Sequence, residues 1–260
     1  MSSDFAPRIS VVIPAYNTAD FVDMAIESAL DQTYPACEVI VVDDGSADGT
    51  FKMVQQDYPE VRVFRQQNGG PGAARNHGVR QALGEWVALL DADDAWLPHK
   101  LERQLPYMAK TGVGVVHATT AGADEVPDTI TFDMLWHRNR ICNSSVVVRR
   151  TVWDSVGGCD EDRSIISVED YNLWLRIAAA GWEITTCREN LIRYLPAPGN
   201  LTSSFARFAQ AELVNVERIG TQLPLDAPTL YAKRVPMRGD NTHPQTTMPK
   251  YNIQIRKVSI

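Results

Sequence analysis

The feature that most constrains the fold is an alternation, in the first half of the chain, between short apolar runs and stretches with helical periodicity. Four runs have the length of strands and occupy residues 9–13, 39–42, 61–64 and 86–90. Between them, apolar residues recur at helical spacing, and the first such stretch follows Thr18, a predicted N-cap. Strands that are apolar on both faces are typical of a parallel sheet covered by helices on each side. The sequence therefore predicts an α/β fold.

Polar residues follow three of these strands at the point where each strand ends. The segments are Pro14-Ala15-Tyr16-Asn17, Asp43-Asp44 and Asp91-Ala92-Asp93. In parallel sheets, ligands bind outside the carboxyl ends of the strands. Because all three segments fall at that edge of the sheet, we expect them to line one site.

The acidic segment after the fourth strand indicates a bound cation. Asp91, Asp93 and Asp94 directly follow an apolar run, and carboxylates gathered at one strand end repel each other unless a positive charge compensates them. Asp91 and Asp93 are separated by one small residue, so both can reach one divalent cation and the phosphate that it carries. Taken alone, an Asp-x-Asp triplet is more typical of a solvated acidic loop.

Length and composition disfavour several classes of protein. The 260 residues suit one large domain better than two, and the net charge of -7 argues against nucleic-acid binding. No apolar run reaches the roughly 18 residues that a membrane span needs, and residues 1–4 lack the features of a secretory signal. Cys37, Cys142, Cys159 and Cys187 lack metal-type spacing and are predicted to be reduced thiols of a cytoplasmic protein.

The second half of the chain is less regular. Its predicted strands occupy residues 113–119, 144–148, 184–186 and 191–194, and its predicted helices occupy residues 170–180 and 205–219. The last forty or so residues are net basic and have little periodicity. We therefore treat them as an extension of the domain.

Seven segments, taken together and in order, resemble the family 2 glycosyltransferases of the GT-A fold. They are residues 10–17 (SVVIPAYN), 28–35 (SALDQTYP), 38–50 (EVIVVDDGSADGT), 72–78 (GAARNHG), 90–94 (LDADD), 157–161 (GGCDE) and 168–176 (VEDYNLWLR). Each segment is weak evidence by itself, but their order and spacing over residues 8–204 are specific. Cys159 departs from the family's Gly-Gly-Phe-Asp-Glu turn, in which the third residue is aromatic.

This resemblance implies an enzyme that transfers a sugar from a nucleotide donor, most often a UDP-sugar, to an acceptor hydroxyl with inversion. It implies a GT-A type fold: an α/β, Rossmann-like, mostly parallel sheet with helices on both faces and a smaller mixed subregion on the acceptor side. Residues 1–110 would form the nucleotide-sugar-binding half, and residues 111–205 the acceptor-binding and catalytic half of the same domain. Residues 206–260 would form a helical or irregular C-terminal extension.

The resemblance also implies roles for residues that contact the donor's base. Asp44 would accept the imide N–H of a uracil ring. Pro14 or Tyr16 would pack on the face of that ring. Their neighbours Ala15 and Asp43 belong to the same expected nucleotide-binding set.

Other residues are expected to contact the ribose and the diphosphate. By resemblance, Asp91 would lie near the ribose, with Ala92 beside it. Asp93, with Asp91, would hold a Mn²⁺ or Mg²⁺ ion that bridges the two donor phosphates. Arg75 would hold the same diphosphate or a donor hydroxyl.

A second carboxylate has to take the proton from the attacking hydroxyl. By resemblance, Asp170 is the general base, because the second acid of the family's Glu-Asp pair usually has that role. Glu169 is the alternative, and otherwise would orient the acceptor or the base. Outside the family pattern, the two acids would be interpreted as a first helical turn that favours the helix dipole.

The sequence leaves two other functions to be weighed. One is a nucleotide- or glycan-binding relative without turnover, which the complete set of expected acids does not favour. The other is a nucleotidyltransferase, but that class usually has a Gly-rich, Arg-containing loop where this chain has residues 14–17. A dinucleotide-dependent dehydrogenase is disfavoured further, because no Gly-x-Gly-x-x-Gly follows the first strand.

The expected partners are a nucleotide-sugar donor and a glycan or lipid-linked glycan acceptor, with no nucleic acid. We expect a role in surface polysaccharide or glycoconjugate biosynthesis and a cytoplasmic location. The basic residues near the C-terminus would either contribute to a peripheral association with the inner face of the membrane or form a solvated or disordered end. These are Lys233, Arg234, Arg238, Lys250, Arg256 and Lys257.

Overall fold

The computed structural model describes residues 5–120, 126–194 and 205–223. Within these ranges the chain forms one large mixed sheet with helices on both faces, together with a two-stranded sheet. The predicted α/β fold class is confirmed. Most of the large sheet's first half is parallel, as the apolar strands indicated, and its second half is mixed.

The described elements are as follows. The strands are β1 (Ile9–Ala15), β2 (Glu38–Asp43), β3 (Arg62–Arg65), β4 (Trp86–Leu89), β5 (Asp94–Trp96), β6 (Val113–Thr119), β7 (Thr129–Ile130), β8 (Val147–Arg149), β9 (Glu183–Asn190) and β10 (Ile192–Tyr194). The α-helices are α1 (Val22–Leu30), α2 (Thr50–Asp57), α3 (Pro71–Gln81), α4 (Lys100–Met108), α5 (Phe132–His137), α6 (Arg150–Ser155), α7 (Glu169–Ala179) and α8 (Phe205–Gln222). Two short 3-10 turns, Asn143–Ser145 and Arg163–Ile165, lie in the second half.

The large sheet has the strand order β3-β2-β1-β4-β8-β6-β9-β7. Its first four strands are parallel, and Val12 of β1 pairs with Ile40 of β2 on one side and with Leu89 of β4 on the other. Strand β8 runs antiparallel to both β4 and β6, while β6 and β9 are parallel. The two halves of the chain therefore share one sheet.

Alternating residues of the central strands supply hydrophobic cores on both faces of this sheet. Val12 and Val42 belong to one core, whereas Val11 and Val41 belong to the other, and all four are fully buried. Side chains of a strand alternate between its two faces, so a strand covered on both sides needs apolar residues at nearly every position. This requirement explains the near-continuous apolar runs in the sequence.

Two elements differ from their predicted bounds for local reasons. Helix α1 does not begin directly after Thr18, because the Thr18 carbonyl accepts the N–H groups of Phe21 and Val22 (both 2.9 Å) in a turn that precedes the helix. The strand predicted at 144–148 is divided into a 3-10 turn and the shorter β8. In that turn the Ser145 hydroxyl donates to the Cys142 carbonyl (2.6 Å), a local bond that competes with strand pairing.

Helix α8 packs against α7. Asn172 on α7 donates its side-chain N–H to the amide oxygen of Asn215 on α8 at 2.7 Å, and both residues are fully buried. Ala211 and Ile219 of α8 are also buried. In the described ranges, no helix combines the length and the apolarity that crossing a membrane requires. The basic C-terminal residues lie outside the described residues.

We predict that Gly78→Ala destabilises the protein. A Cβ atom on Gly78 would lie 2.4 Å from Cγ1 of Val12 and 3.3 Å from Cγ2 of Val42, so helix α3 has to move away from the sheet. Alanine favours a helix over glycine by up to about 1 kcal/mol, but overpacking costs about 1–3 kcal/mol. We expect a net loss in the free energy of unfolding, measured by urea denaturation.

The matched control is Arg80→Ala, which removes an exposed side chain from the same helix. We expect this variant to change the free energy of unfolding by less than about 0.5 kcal/mol. A Gly78→Ala protein as stable as Arg80→Ala would show that α3 does not need its close approach to β1 and β2.

Candidate active site

The loop that precedes α3 is held by the carboxylate of Asp44. One oxygen of Asp44 accepts the N–H of Gly69 and the side-chain amide of Gln66, and the other accepts the N–H of Gly70, all at 2.8 Å. The N–H of Asp44 donates to the carbonyl of Ala15 at 2.8 Å, which joins the ends of β1 and β2. Gly70 has a φ of +92°, a conformation that favours glycine. Asp44 therefore fixes the entry to helix α3 at the carboxyl edge of the sheet.

Helix α3 also carries Arg75, which connects the two halves of the chain. Its Nη2 donates to Asp91 at 2.9 Å, and its Nη1 donates to Glu169 of α7 at 2.5 Å. Arg75 and Glu169 are almost completely buried. Burial opposes the charge of Arg75, but the carboxylates of Asp91 and Glu169 outweigh it and raise the pKa of the guanidinium. The ion pairs therefore keep Arg75 charged in the interior.

The 3-10 turn Asn143–Ser145 holds the acidic segment from its other side. The side-chain N–H of Asn143 donates to the same Asp91 oxygen as Arg75 does, at 2.9 Å. The N–H of Asp91 donates to the Ser144 hydroxyl (3.1 Å), which in turn donates to Asp94 (2.6 Å). Asn143 and Ser144 were not predicted as site residues from the sequence. The sequence feature that could have identified them is a polar triplet directly before an apolar strand, and this feature by itself is weak evidence of a site.

Behind this turn lies Lys100, a fully buried lysine that was also not predicted from the sequence. Lys100 Nζ donates to the side-chain oxygen of Gln104 at 2.8 Å and lies 4.1 Å from the centre of the Trp96 ring. Burial lowers the pKa of Lys100 to about 7. Trp96 donates its indole N–H to the Ser144 carbonyl (2.7 Å), so this cluster supports the turn that orients Asp91.

Asp93 completes the acidic segment and is half-buried. Burial and the neighbouring carboxylate of Asp91 raise the pKa of Asp93. A hard divalent cation such as Mg²⁺ or Mn²⁺ would compensate two carboxylates that repel each other in this way. Across the described ranges, no group of three or more His, Cys, Asp or Glu side chains is arranged to hold a metal ion. An ion on Asp91 and Asp93 would therefore need further oxygen ligands, which donor phosphates can supply.

Asp170 lies beside Glu169 in the first turn of α7. It is half-buried, and its Oδ1 accepts the N–H of Tyr171 at 2.6 Å. Burial and the negative charge of Glu169 raise the pKa of Asp170 above that of a solvated aspartate. A carboxylate whose charged form is disfavoured is a stronger proton acceptor, which suits a general base.

The remaining predicted residues lie at the ends of β1, β2 and β4. Tyr16 directly follows β1 and is 52% exposed, so its ring is accessible to a ligand. Asp43 is fully buried, where it accepts the N–H of Ser46 (3.3 Å) and lies 3.2 Å from Arg65 Nε. Pro14 is half-buried in β1, and the small residues Ala15 and Ala92 are buried.

The structure therefore places the predicted residues along one edge of the sheet and around helix α3. Asp91, Arg75 and Glu169 are in direct contact, and Asp170 adjoins Glu169. Asp44 is connected to them through the start of α3, the helix that carries Arg75. An α/β sheet with acids at its carboxyl edge is consistent with a GT-A type glycosyltransferase.

Three comparisons support this class. TuaG of Bacillus subtilis (strain 168), a glycosyltransferase provisionally assigned to teichuronic acid biosynthesis, is 29% identical over 217 residues, which cover 78% of this chain and 84% of TuaG. The Escherichia coli UDP-Glc:alpha-D-GlcNAc-diphosphoundecaprenol beta-1,3-glucosyltransferase WfgD is 30% identical over 179 residues, which cover 65% of this chain and 69% of WfgD. The mannosyltransferase PcManGT from Pyrobaculum calidifontis, solved with GDP-Man and Mn²⁺, has a TM-score of 0.70 at 23% identity. The aligned region covers 87% of this chain and 67% of the PcManGT chain.

The sequence profile of the family described as Glycosyl transferase family 2 matches residues 10–159. This match covers more than half of the chain. The chain therefore belongs to Glycosyl transferase family 2 and is a glycosyltransferase with a GT-A fold.

We predict that Arg75→Met strongly destabilises the protein. The variant keeps much of the side-chain volume but leaves the buried Glu169 carboxylate without its cation. Removing one partner of a buried ion pair typically costs about 3–5 kcal/mol, and the partial exposure of Asp91 favours the lower end of that range. The measurement is the free energy of unfolding from chemical denaturation.

The matched control is Arg103→Met, which removes an exposed arginine that lies 3.6 Å from Glu189. Exposed pairs of this kind contribute about 0–1 kcal/mol. Equal losses in the two variants would contradict the structural role that we assign to Arg75.

Proposed function

We propose that this glycosyltransferase is a metal-dependent, inverting enzyme that moves a sugar from a UDP-sugar to an acceptor hydroxyl in the synthesis of a surface polysaccharide or glycoconjugate. The observation that carries the proposal is the bridge in which Arg75 joins Asp91, at the end of β4, to Glu169 on α7. This bridge keeps the acids expected to serve the donor beside the acid expected to serve the acceptor, Asp170.

The donor side fits a nucleotide. The exposed ring of Tyr16 can pack on a base, and Asp44 can accept one more hydrogen bond, because two carboxylate oxygens offer about four acceptor positions. A uracil imide N–H is the donor that we assign to Asp44. WfgD is named for the donor UDP-Glc, whereas PcManGT was solved with GDP-Man, so the choice of UDP rests on WfgD and on the role proposed for Asp44.

The divalent ion would be held by Asp93 and Asp91. Both residues offer hard oxygen ligands, and the electrostatic repulsion between them fits a cation that has to be supplied with the donor. When bound, Mn²⁺ or Mg²⁺ neutralises charge on the departing diphosphate, which typically contributes several kcal/mol. Arg75 and Asn143 orient Asp91 for this role.

Asp170 would take the proton of the acceptor hydroxyl. As that oxygen forms a bond to the anomeric carbon, the bond from the anomeric carbon to the diphosphate breaks, and the proton moves to the Asp170 carboxylate. Attack on the face opposite the diphosphate inverts the anomeric centre. Glu169 is less suited to this step, because it is almost completely buried and forms an ion pair with Arg75, whereas Asp170 is only half-buried. We assign Glu169 to orienting the site.

The acceptor that we propose is a glycan or a lipid-linked glycan. The name of WfgD contains a diphosphoundecaprenol acceptor, and that of TuaG concerns teichuronic acid biosynthesis. A lipid-linked acceptor would bring the enzyme to a membrane surface without a spanning helix. We therefore propose a cytoplasmic protein that works at the inner face of the membrane.

The test of the proposed base is Asp170→Asn. This substitution keeps the shape of the side chain but removes the proton acceptor, so we expect turnover to fall by roughly 10²–10⁴-fold while donor binding is retained. Turnover is measured as nucleoside diphosphate release, and binding by calorimetry. Asp154→Asn, at an exposed position of α6, is the control and should leave both unchanged. Unchanged turnover in Asp170→Asn would remove Asp170 from this role.

The metal assignment is tested with Asp93→Ala and with a chelator. We first identify the donor by the thermal shift that UDP-, GDP- and dTDP-sugars produce with Mn²⁺, since a bound ligand stabilises the folded state by mass action. Asp93→Ala and metal removal should each weaken the binding of that donor, and Mn²⁺ should restore binding only in the wild-type protein. Binding that is unchanged in both experiments would exclude a metal held by Asp93.

A further inference from the structure

A segment of the catalytic half lies across the loop that enters helix α3. We call this segment, residues 160–166, the covering segment. Arg163 Nη1 donates to the backbone oxygen of Asn68 (3.0 Å) and to its side-chain oxygen (2.8 Å). Ile166 lies over Gly70, where a Cβ atom would come within 3.1 Å of Ile166 Cδ1. The covering segment therefore contacts the loop through one polar side chain, Arg163, and one apolar side chain, Ile166.

The loop under the covering segment is the one that holds Asp44. Asn68 donates its side-chain N–H to the Asp44 carbonyl at 3.0 Å, and the next two residues donate their backbone N–H groups to the Asp44 carboxylate. A shift of Asn68 would therefore move the groups that orient Asp44. Asp44 is the residue to which we assign recognition of the base.

Helix α8 fixes the covering segment through one side chain. Arg218 Nη1 donates to Asp160 at 2.6 Å, and its Nη2 donates to Asp162. The other oxygen of Asp162 accepts the N–H of Ser164 (2.8 Å) at the start of the turn Arg163–Ile165. Arg218 thus holds the carboxylates of Asp160 and Asp162, which precede Arg163, the residue that binds Asn68.

The geometry points to Arg218 as a positioning residue for donor binding. It acts from helix α8, through Asp160 and Asp162, on Arg163 and the loop that orients Asp44. This inference rests on the proposed function, and it extends the functional site to helix α8. A guanidinium that donates to two carboxylates sets their relative position, which suits an orienting role.

If Arg218 served stability alone, its loss would lower the free energy of unfolding without changing donor affinity. Arg163 and Asp162 are exposed, so their polar contacts contribute little to the free energy of unfolding. They do fix the loop in one arrangement, and a pre-organised loop binds its ligand more tightly than a mobile one. Arg218 and Asp160 are half-buried, so loss of Arg218 should lower stability as well as donor affinity, whereas loss of the exposed Arg163 should lower donor affinity with little change in stability.

The test is the dissociation constant of UDP, GDP or dTDP, whichever the wild-type protein binds most tightly with Mn²⁺, measured by calorimetry. We expect Arg218→Ala to raise this constant by roughly 5- to 20-fold, with a smaller effect on turnover at saturating donor. Arg218→Lys, which retains one cation, should restore part of the affinity. Arg207→Ala, at an exposed arginine of the same helix, is the matched control and should bind like wild type.

A double-mutant cycle with Arg163→Ala tests the route of the effect. If Arg218 acts through Arg163, the double variant should bind the nucleotide about as weakly as the weaker single variant. Additive losses would overturn the inference. Should Arg218→Ala fail to fold, Arg163→Ala alone decides, since Arg163 is exposed: weaker binding supports the inference and unchanged binding overturns it.

The outcomes also separate this inference from the proposed function. A wild-type protein that binds none of the three nucleotides with Mn²⁺ would contradict the proposed function, and the inference with it. Wild-type binding with an unchanged dissociation constant in Arg218→Ala would overturn only the inference. A fall in melting temperature without a change in affinity would likewise assign Arg218 to stability alone.

Discussion

The active-site region depends on one buried guanidinium. Arg75 is held between Asp91, which follows β4, and Glu169, which begins α7. A buried charge is unfavourable unless it is paired and hydrogen-bonded, so neither carboxylate can be moved without destabilising the other pair. This mutual dependence is the physical reason that acids from distant parts of the chain stay together at one edge of the sheet.

Helix α3 organises both halves around that guanidinium. Before its first turn, backbone N–H groups bind Asp44, and Arg75, in its second turn, binds the two acids. The next residue, Asn76, accepts the N–H of Cys159 (2.9 Å) and donates to the carbonyl of Cys159 (2.8 Å). These contacts place the turn that leads into the covering segment. The small Cys159 is buried in the core on this side.

Much of the parallel part of the sheet could be predicted from the sequence, because a strand buried on both faces has to be apolar at nearly every position. The position of β8 could not be predicted. It is three residues long, and it lies between β4 and β6 because of pairing with strands far away in the chain. The Asn143–Ser145 turn was missed for a related reason: its hydrogen bonds join Asp91 to residues more than fifty positions later.

The sequence by itself determined which residues stand at the carboxyl ends of the strands, and therefore that Asp44, Asp91 and Asp93 lie on one edge. That information is local, since it depends only on where apolar runs stop. Only the tertiary structure decided the partners of these acids: Arg75 and Asn143 for Asp91, and the amides of the α3 loop for Asp44. The partners depend on which elements pack together. Packing brings together residues that are far apart along the chain, and no local sequence pattern indicates which of them will meet.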